Sequence, residues 1–205
     1  MKLMTSCSIN NGGALLLLLS VCCCLSSVPV ARSQSSDSCS STLAGAGVGK
    51  LIPFDTSNLT CFDAWSTEGF IVRYSRSGND TWSFVLSAPD NGAYVAMGFS
   101  SDGNMVGSSA VAGWTTGSGV GVAKQYKLDG TSASKCPPDQ GSLSLVAGNT
   151  LLVAQSSRLY LAFQFTAAQP TPYLIYAVGP SNAKLNGNYL VRHRDYSSTA
   201  VNYFP

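Results

Sequence analysis

From Phe70 onward the apolar positions recur at every second residue. Phe70, Val72 and Tyr74 alternate with Ile71, Arg73 and Ser75, and Trp82, Phe84 and Leu86 alternate with Ser83, Val85 and Ser87. A period of two puts successive side chains on opposite faces of an extended strand. Segments 94–99, 110–114, 120–126, 143–146, 151–155, 159–165 and 173–178 continue the series. Between them lie clusters of Gly, Pro, Asn, Asp and Ser at 76–80, 89–92, 100–104 and 137–141. These residue types supply the backbone conformations and local hydrogen bonds of turns. Short strands separated in this way predict an all-β, antiparallel sandwich or barrel. No window holds a 3.6-residue apolar period with caps, and Glu68 is the sole glutamate, so surface helices are not expected.

The pattern before Phe70 is different. Lys2 precedes a twelve-residue apolar run at 14–25, and Ala31-Arg32-Ser33 follows with small residues. That is the plan of a secretory signal peptide over residues 1–33. The run is shorter than the roughly 20 residues a membrane-spanning helix needs. Residues 34–51, rich in Ser, Gly and Ala, are expected to form a flexible N-terminal arm, and 52–205 the sandwich. Nothing later in the chain reads as a membrane span, so the mature chain is expected to make no stable membrane insertion. Without Lys2 and Arg32, the twelve basic residues fall to the number of acidic ones, ten. A near-neutral chain gives no electrostatic case for nucleic acid or an anionic membrane.

Secretion makes disulfides expected. Four of the seven cysteines, Cys7 and Cys22 to Cys24, lie in the leader, which leaves Cys39, Cys61 and Cys136. Cys39 and Cys61 both precede the main strands and are the preferred pair; Cys136 is then free or pairs with another molecule. Sequons at Asn58 and Asn79 suit a secreted glycoprotein.

Candidate chemistry is constrained by His193, the single histidine. One imidazole excludes a multi-histidine metal site within the chain. By residue type alone, an exposed histidine in a C-terminal strand is the ordinary reading. Arg192 and Arg194 flank it and could reach anionic groups or simply solvate the surface. Met105 lies in the Gly- and Ser-rich connection 98–112, neither on a strand alternation nor on a helix. A thioether and an imidazole together form an axial ligand set for haem iron. Met97 shares a strand face with Val95 and Phe99 and reads as core or pocket wall. Other signals are weak. Segment 45–50 lacks the Ser or Thr of a phosphate loop, no G-x-S-x-G element accompanies His193 and Asp195, and Glu68 has no evident carboxylate partner for glycoside hydrolysis.

Six segments carry a resemblance: 59–65 (LTCFDAW), 68–74 (EGFIVRY), 82–88 (WSFVLSA), 96–100 (AMGFS), 105–109 (MVGSS) and His193-Arg-Asp. Together they resemble the DOMON domain of the plant cytochrome b561 and DOMON domain-containing proteins, from about Cys39 to the C-terminus. The resemblance implies an immunoglobulin-like β-sandwich that holds one haem b non-covalently, with Met105 and His193 as axial ligands of the iron. It implies a secreted, apoplastic carrier of single electrons rather than a catalyst, exchanging them with ascorbate or a membrane cytochrome partner. Two-module relatives continue into a transmembrane haem domain about where this chain stops, so it is either a stand-alone paralogue or part of a longer product. The absence of C-x-x-C-H excludes covalent c-type attachment. Phe99, Trp114 and Tyr196 are the candidate cofactor-pocket walls. Two readings compete: a haem-free carbohydrate- or ligand-binding sandwich using Trp65, Trp82 or Trp114 as stacking platforms, and an inactive truncated paralogue.

Overall fold

Period-two alternation becomes two antiparallel sheets facing one another in a computed structural model that describes residues 37–78 and 80–204. The strands are β1 (Thr60–Trp65), β2 (Phe70–Ser77), β3 (Thr81–Pro89), β4 (Val95–Ser100), β5 (Ser108–Thr115), β6 (Gly121–Leu128), β7 (Ser144–Leu145), β8 (Leu151–Gln155), β9 (Arg158–Thr166), β10 (Tyr173–Val178) and β11 (Asp195–Ala200). One sheet runs β1-β2-β3-β9-β7, with β8 also on β9; the other runs β11-β10-β4-β5-β6. Among the described residues the only helical elements are 3-10 turns, and no helix is long and apolar enough to cross a membrane. The expected signal segment and the Asn79 sequon lie outside the described residues, whereas Asn58 is exposed just ahead of β1.

The core is built from alternate residues of both sheets. Phe70, Val72 and Tyr74 of β2, Trp82, Phe84 and Leu86 of β3, and Leu159, Leu161, Phe163 and Phe165 of β9 face Val95, Met97 and Phe99 of β4 and Leu174, Tyr176 and Val178 of β10. Phe84 stacks on Phe163 and Phe165 at 5.9 and 5.7 Å, and Phe99 meets it edge-on at 5.1 Å. Each such buried side chain contributes about 1.5–3 kcal/mol of transfer free energy. Met97 is therefore core, and Trp82 is core as its alternation predicts.

The segment expected to be a loose arm is packed. Leu43, Val48 and Ile52 are buried against Val85, Tyr160 and Ala162, on the outer face of the first sheet. That face is too apolar at its centre to be left in water, and the arm covers it. Arg73, on the same face, makes a two-pronged ion pair with Asp37, at 3.0 and 2.7 Å. It also donates to the Ser38 carbonyl at 2.7 Å. The disulfide between Cys39 and Cys61 ties the arm to β1, and Cys136 is free and buried. Replacing both disulfide cysteines by serine is expected to cost about 3 kcal/mol, the chain-entropy value for a loop of this order. The shift in urea midpoint checks it.

Candidate functional site

The second sheet has a different outer face. Its core-facing residues are large, but the opposite positions on the central strands are small: Ala96 and Gly98 on β4, Ala110 and Ala112 on β5, Ala177 on β10. A Cβ at Gly98 would stand 2.8 Å from Ile175 Cγ1 and 3.0 Å from Ala110 Cβ, so the three strands pack there only with glycine. The result is a low floor. Ala96, Gly98, Ala110, Ile175 and Ala177 form the base of a cavity of about 980 Å³. That lies at the upper end of the usual range for small-molecule and cofactor sites.

Three loops rise around this floor. The first, between β4 and β5, carries Met105. Its conformation is fixed locally. Ser100 and Ser108 both donate their hydroxyls to the Asn104 carbonyl at 2.8 Å, and Asp102 accepts from the Asn104 backbone and side chain at 2.9 Å each. The Asn104 side chain is the first of the contacts that hold the Asp102 carboxyl below its ordinary range. Gly103, at φ 85°, turns the chain back across the sheet against Tyr173 and Ser198. Met105 is thereby half-buried against the small-residue face and lines the cavity.

The second loop leads into β11 and carries His193. Register shows where it stands relative to Met105. Tyr173 of β10 pairs with Ser100 and Ala200, whereas Val178 pairs with Val95 and Asp195. The Met105 loop therefore leaves one end of the sheet and His193 enters at the other. Both fold over the same outer face and line the same cavity. His193 lies ahead of β11, half-buried, with its ring 5.0 Å from that of Tyr196. Burial first, then the Arg192 charge, hold the imidazole below its ordinary pKa, against the weaker opposing pull of Asp195. At neutral pH the ring is neutral, with a nitrogen lone pair free to coordinate.

The third loop, 129–138, brings Cys136 to the wall. Its Sγ donates to the Gly130 carbonyl at 3.3 Å, and burial pushes the thiol up, so it is held protonated rather than as a metal-binding thiolate. Tyr94 and Tyr126 complete the wall's support. Both are buried, and burial pushes both phenols well above their ordinary range. Tyr94 donates to the Val191 carbonyl at 2.8 Å and Tyr126 to the Asn188 carbonyl at 2.6 Å.

The expected wall residues divide. Tyr196 lines the cavity. Phe99 does not, because it faces the core, where it packs on Phe165 at 4.8 Å. Trp114 is half-buried against the small-residue cluster but lies outside the lining. The two arginines also part company. Arg192 lines the cavity, whereas Arg194 turns away to Glu68 at 2.5 Å. That pair sits on a second, polar hollow of about 630 Å³, with Asn91 and Ser181. Glu68 thus has a cationic partner, as an isolated carboxylate would not. Among the tryptophans, Trp82 is buried and Trp65 and Trp114 are half-buried. The sequence reading missed Cys136, Tyr94, Tyr126 and the small floor. The available signal was the alternation of small residues with large ones on β4.

No protein-family model matches the chain. It is 43% identical over 182 residues to a cytochrome b561 and DOMON domain-containing protein of Arabidopsis thaliana, covering 87% of this chain and 48% of that protein. A second Arabidopsis thaliana protein of the same description is 33% identical over 150 residues, covering 72% of this chain and 37% of that protein. The chain therefore spans about half, or less, of the length of the curated relatives it matches. In fold it is similar to the cytochrome b domain of pyranose dehydrogenase from Coprinopsis cinerea. The TM-score is 0.51 at 11% identity, over 71% of this chain and 82% of that domain.

Proposed function

This chain is a homologue of the cytochrome b561 and DOMON domain-containing proteins, and from that premise we propose that it is a secreted haem-binding electron carrier. The observation that carries the reading is the convergence of Met105 and His193, from opposite ends of one sheet, on one cavity.

The residues present fit such a group. The donor set is a thioether and a neutral imidazole, the pair that ligates iron in electron-transfer haem sites. The floor of Ala96, Gly98, Ala110, Ile175 and Ala177 leaves room for a flat ring, and Leu128 and Val191 give it apolar walls. Arg192 makes no ion pair among the described residues and is placed to meet a carboxylate at the cavity rim. Haem, when bound, would supply a one-electron couple. Met105 and His193 would hold it through a thioether and an imidazole, a donor set that would suit electron transfer rather than catalysis. Ascorbate, or a membrane cytochrome, is the proposed exchange partner. The carbohydrate-binding alternative has no exposed tryptophan to support it.

The test is titration of the full chain with haem. Saturation at one haem per chain, with a low-spin b-type spectrum that ascorbate reduces, supports the reading. Absence of a saturable low-spin species would sink it, and a low-spin species that ascorbate leaves oxidised would remove ascorbate as donor.

A further inference from the structure

The segment that delivers His193 is not a strand and has no ladder to hold it. Residues 186–188 form a 3-10 turn in which Gly187 and Asn188 both take positive φ, 59° and 63°, and the chain then runs without regular structure to β11. A segment of this kind would be free to move over the cavity. It is instead fixed at four points. Tyr126 holds the Asn188 carbonyl and Tyr94 the Val191 carbonyl. The Arg194 backbone N–H bonds the Val178 carbonyl at 2.8 Å, and the Arg194 side chain pairs with Glu68. His193 thus stands between a carbonyl held two residues before it and an N–H held one residue after it.

The two tyrosines stand out against their surroundings. The outer-face positions of β4 and β5 beside them include Ala96, Gly98, Ala110 and Ala112, whereas Tyr94 precedes β4 and Tyr126 lies on β6. Phenylalanine would fill the space of Tyr94 and Tyr126 equally well. The hydroxyl adds one directed bond, and in both cases that bond ends on the His193 segment. A Cβ at Gly179 would meet the Tyr94 ring at 2.3 Å, so the chain gives up a side chain there to admit the phenol.

We propose that Tyr94 and Tyr126 are positioning residues that hold the imidazole of His193 in place for the haem iron. The proposal rests on the reading of His193 as an axial ligand. Partners of this kind orient a ligand without touching the metal. Losing one neutral hydrogen bond corresponds to about three- to tenfold in an equilibrium or a rate.

The experiment uses the full haem-loaded chain and its Tyr94→Phe, Tyr126→Phe and Tyr203→Phe variants. Tyr203 is the control, because its buried hydroxyl has no hydrogen-bond partner among the described residues and lies in the main core. Haem transfer to excess apomyoglobin is timed, and the low-spin electron paramagnetic resonance signal is recorded. Tyr94→Phe and Tyr126→Phe are each expected to speed haem loss about three- to tenfold and to split the low-spin signal into more than one population. Tyr203→Phe should do neither. A merely structural role would lower the urea midpoint while leaving haem loss and the signal as in the unaltered chain, and that result overturns the proposal. If the unaltered chain takes up no haem, or His193→Ala leaves its binding unchanged, the ligand reading itself falls and the proposal with it.

Discussion

Replacing His193 by alanine is expected to lower haem affinity at least about a hundredfold, beyond the roughly 10–100-fold typical of changes in a ligand's outer-shell partners. His193 is the only imidazole in the chain, so no neighbour can take its place. Its backbone is held on both sides. Met105→Ala should be milder in retention but specific in character. The Asn104 carbonyl, gripped by Ser100 and Ser108, keeps the loop in shape without the thioether. Retention should fall less than in His193→Ala, while the reduction potential drops, because methionine ligation raises it. Haem titration and potentiometry of the two variants check both expectations. Equal, small losses in both would contradict distinct axial roles.

Replacing Arg73 by methionine is expected to cost about 3–5 kcal/mol of folding free energy. Removing one partner of a buried ion pair leaves the other charge uncompensated. The Asp37 and Arg73 side chains are 1% and 4% exposed, so solvent cannot screen the pair. Asp37 would keep only the hydroxyls of Ser41 and Ser87 and a distant Arg158 at 3.9 Å. The loss should release Leu43 and Val48 from the sheet they cover. The pH dependence follows from the same contacts. Burial alone would raise the Asp37 pKa, but hydrogen bonds from Arg73, Ser87 and Ser41, with the Arg73 charge, outweigh it and hold the carboxyl below its ordinary 3.8. A carboxylate with a lowered folded-state pKa binds fewer protons folded than unfolded below that ordinary value. Its stabilisation is therefore complete above about pH 4 and is lost as pH falls from there through the folded value. Urea midpoints measured downward from pH 6 should show this acid loss in the unaltered protein. It should be weaker in Asp37→Asn.

Both sheets were legible in the alternation because their inner faces carry large residues at every second position. All nine segments expected to be strands overlap observed strands. β1 went unread, and β11 was expected only as a C-terminal strand holding His193, which instead lies ahead of it; both are edges of their sheets. Edge strands bury little, and β11, Asp195–Ala200, shows only exposed and half-buried positions, so hydrophobic period carries no signal there. The arm was misread for a related reason. Its composition is that of a loop, and Leu43, Val48 and Ile52 gain meaning only from the apolar outer face they cover.

The site was legible in part. The family resemblance nominated Met105 and His193 as a pair where residue type alone favoured an ordinary exposed histidine, and their sharing of one cavity depends on the β4–β10–β11 register, which no local pattern encodes. Phe99 was misassigned because proximity in sequence to a ligand says nothing about which sheet face a side chain takes. Tyr94 and Tyr126 were invisible because their role is a bond to a carbonyl 97 and 62 residues away. What the sequence did contain, unused, was the contrast between the two faces of β4: Val95, Met97 and Phe99 on one, Ala96 and Gly98 on the other. A sheet with one large-residue face and one small-residue face has packed its core on the first and left room on the second.

Met105 and His193 are proposed to hold one haem iron together. Cys136 lines the same cavity and would offer the competing sulfur. Iron-edge X-ray absorption of the haem-loaded chain distinguishes them. One sulfur and five nitrogens around iron are expected, with the sulfur lost in Met105→Ala and kept in Cys136→Ala. A coordination shell without sulfur, or a sulfur that survives Met105→Ala, would contradict this pairing.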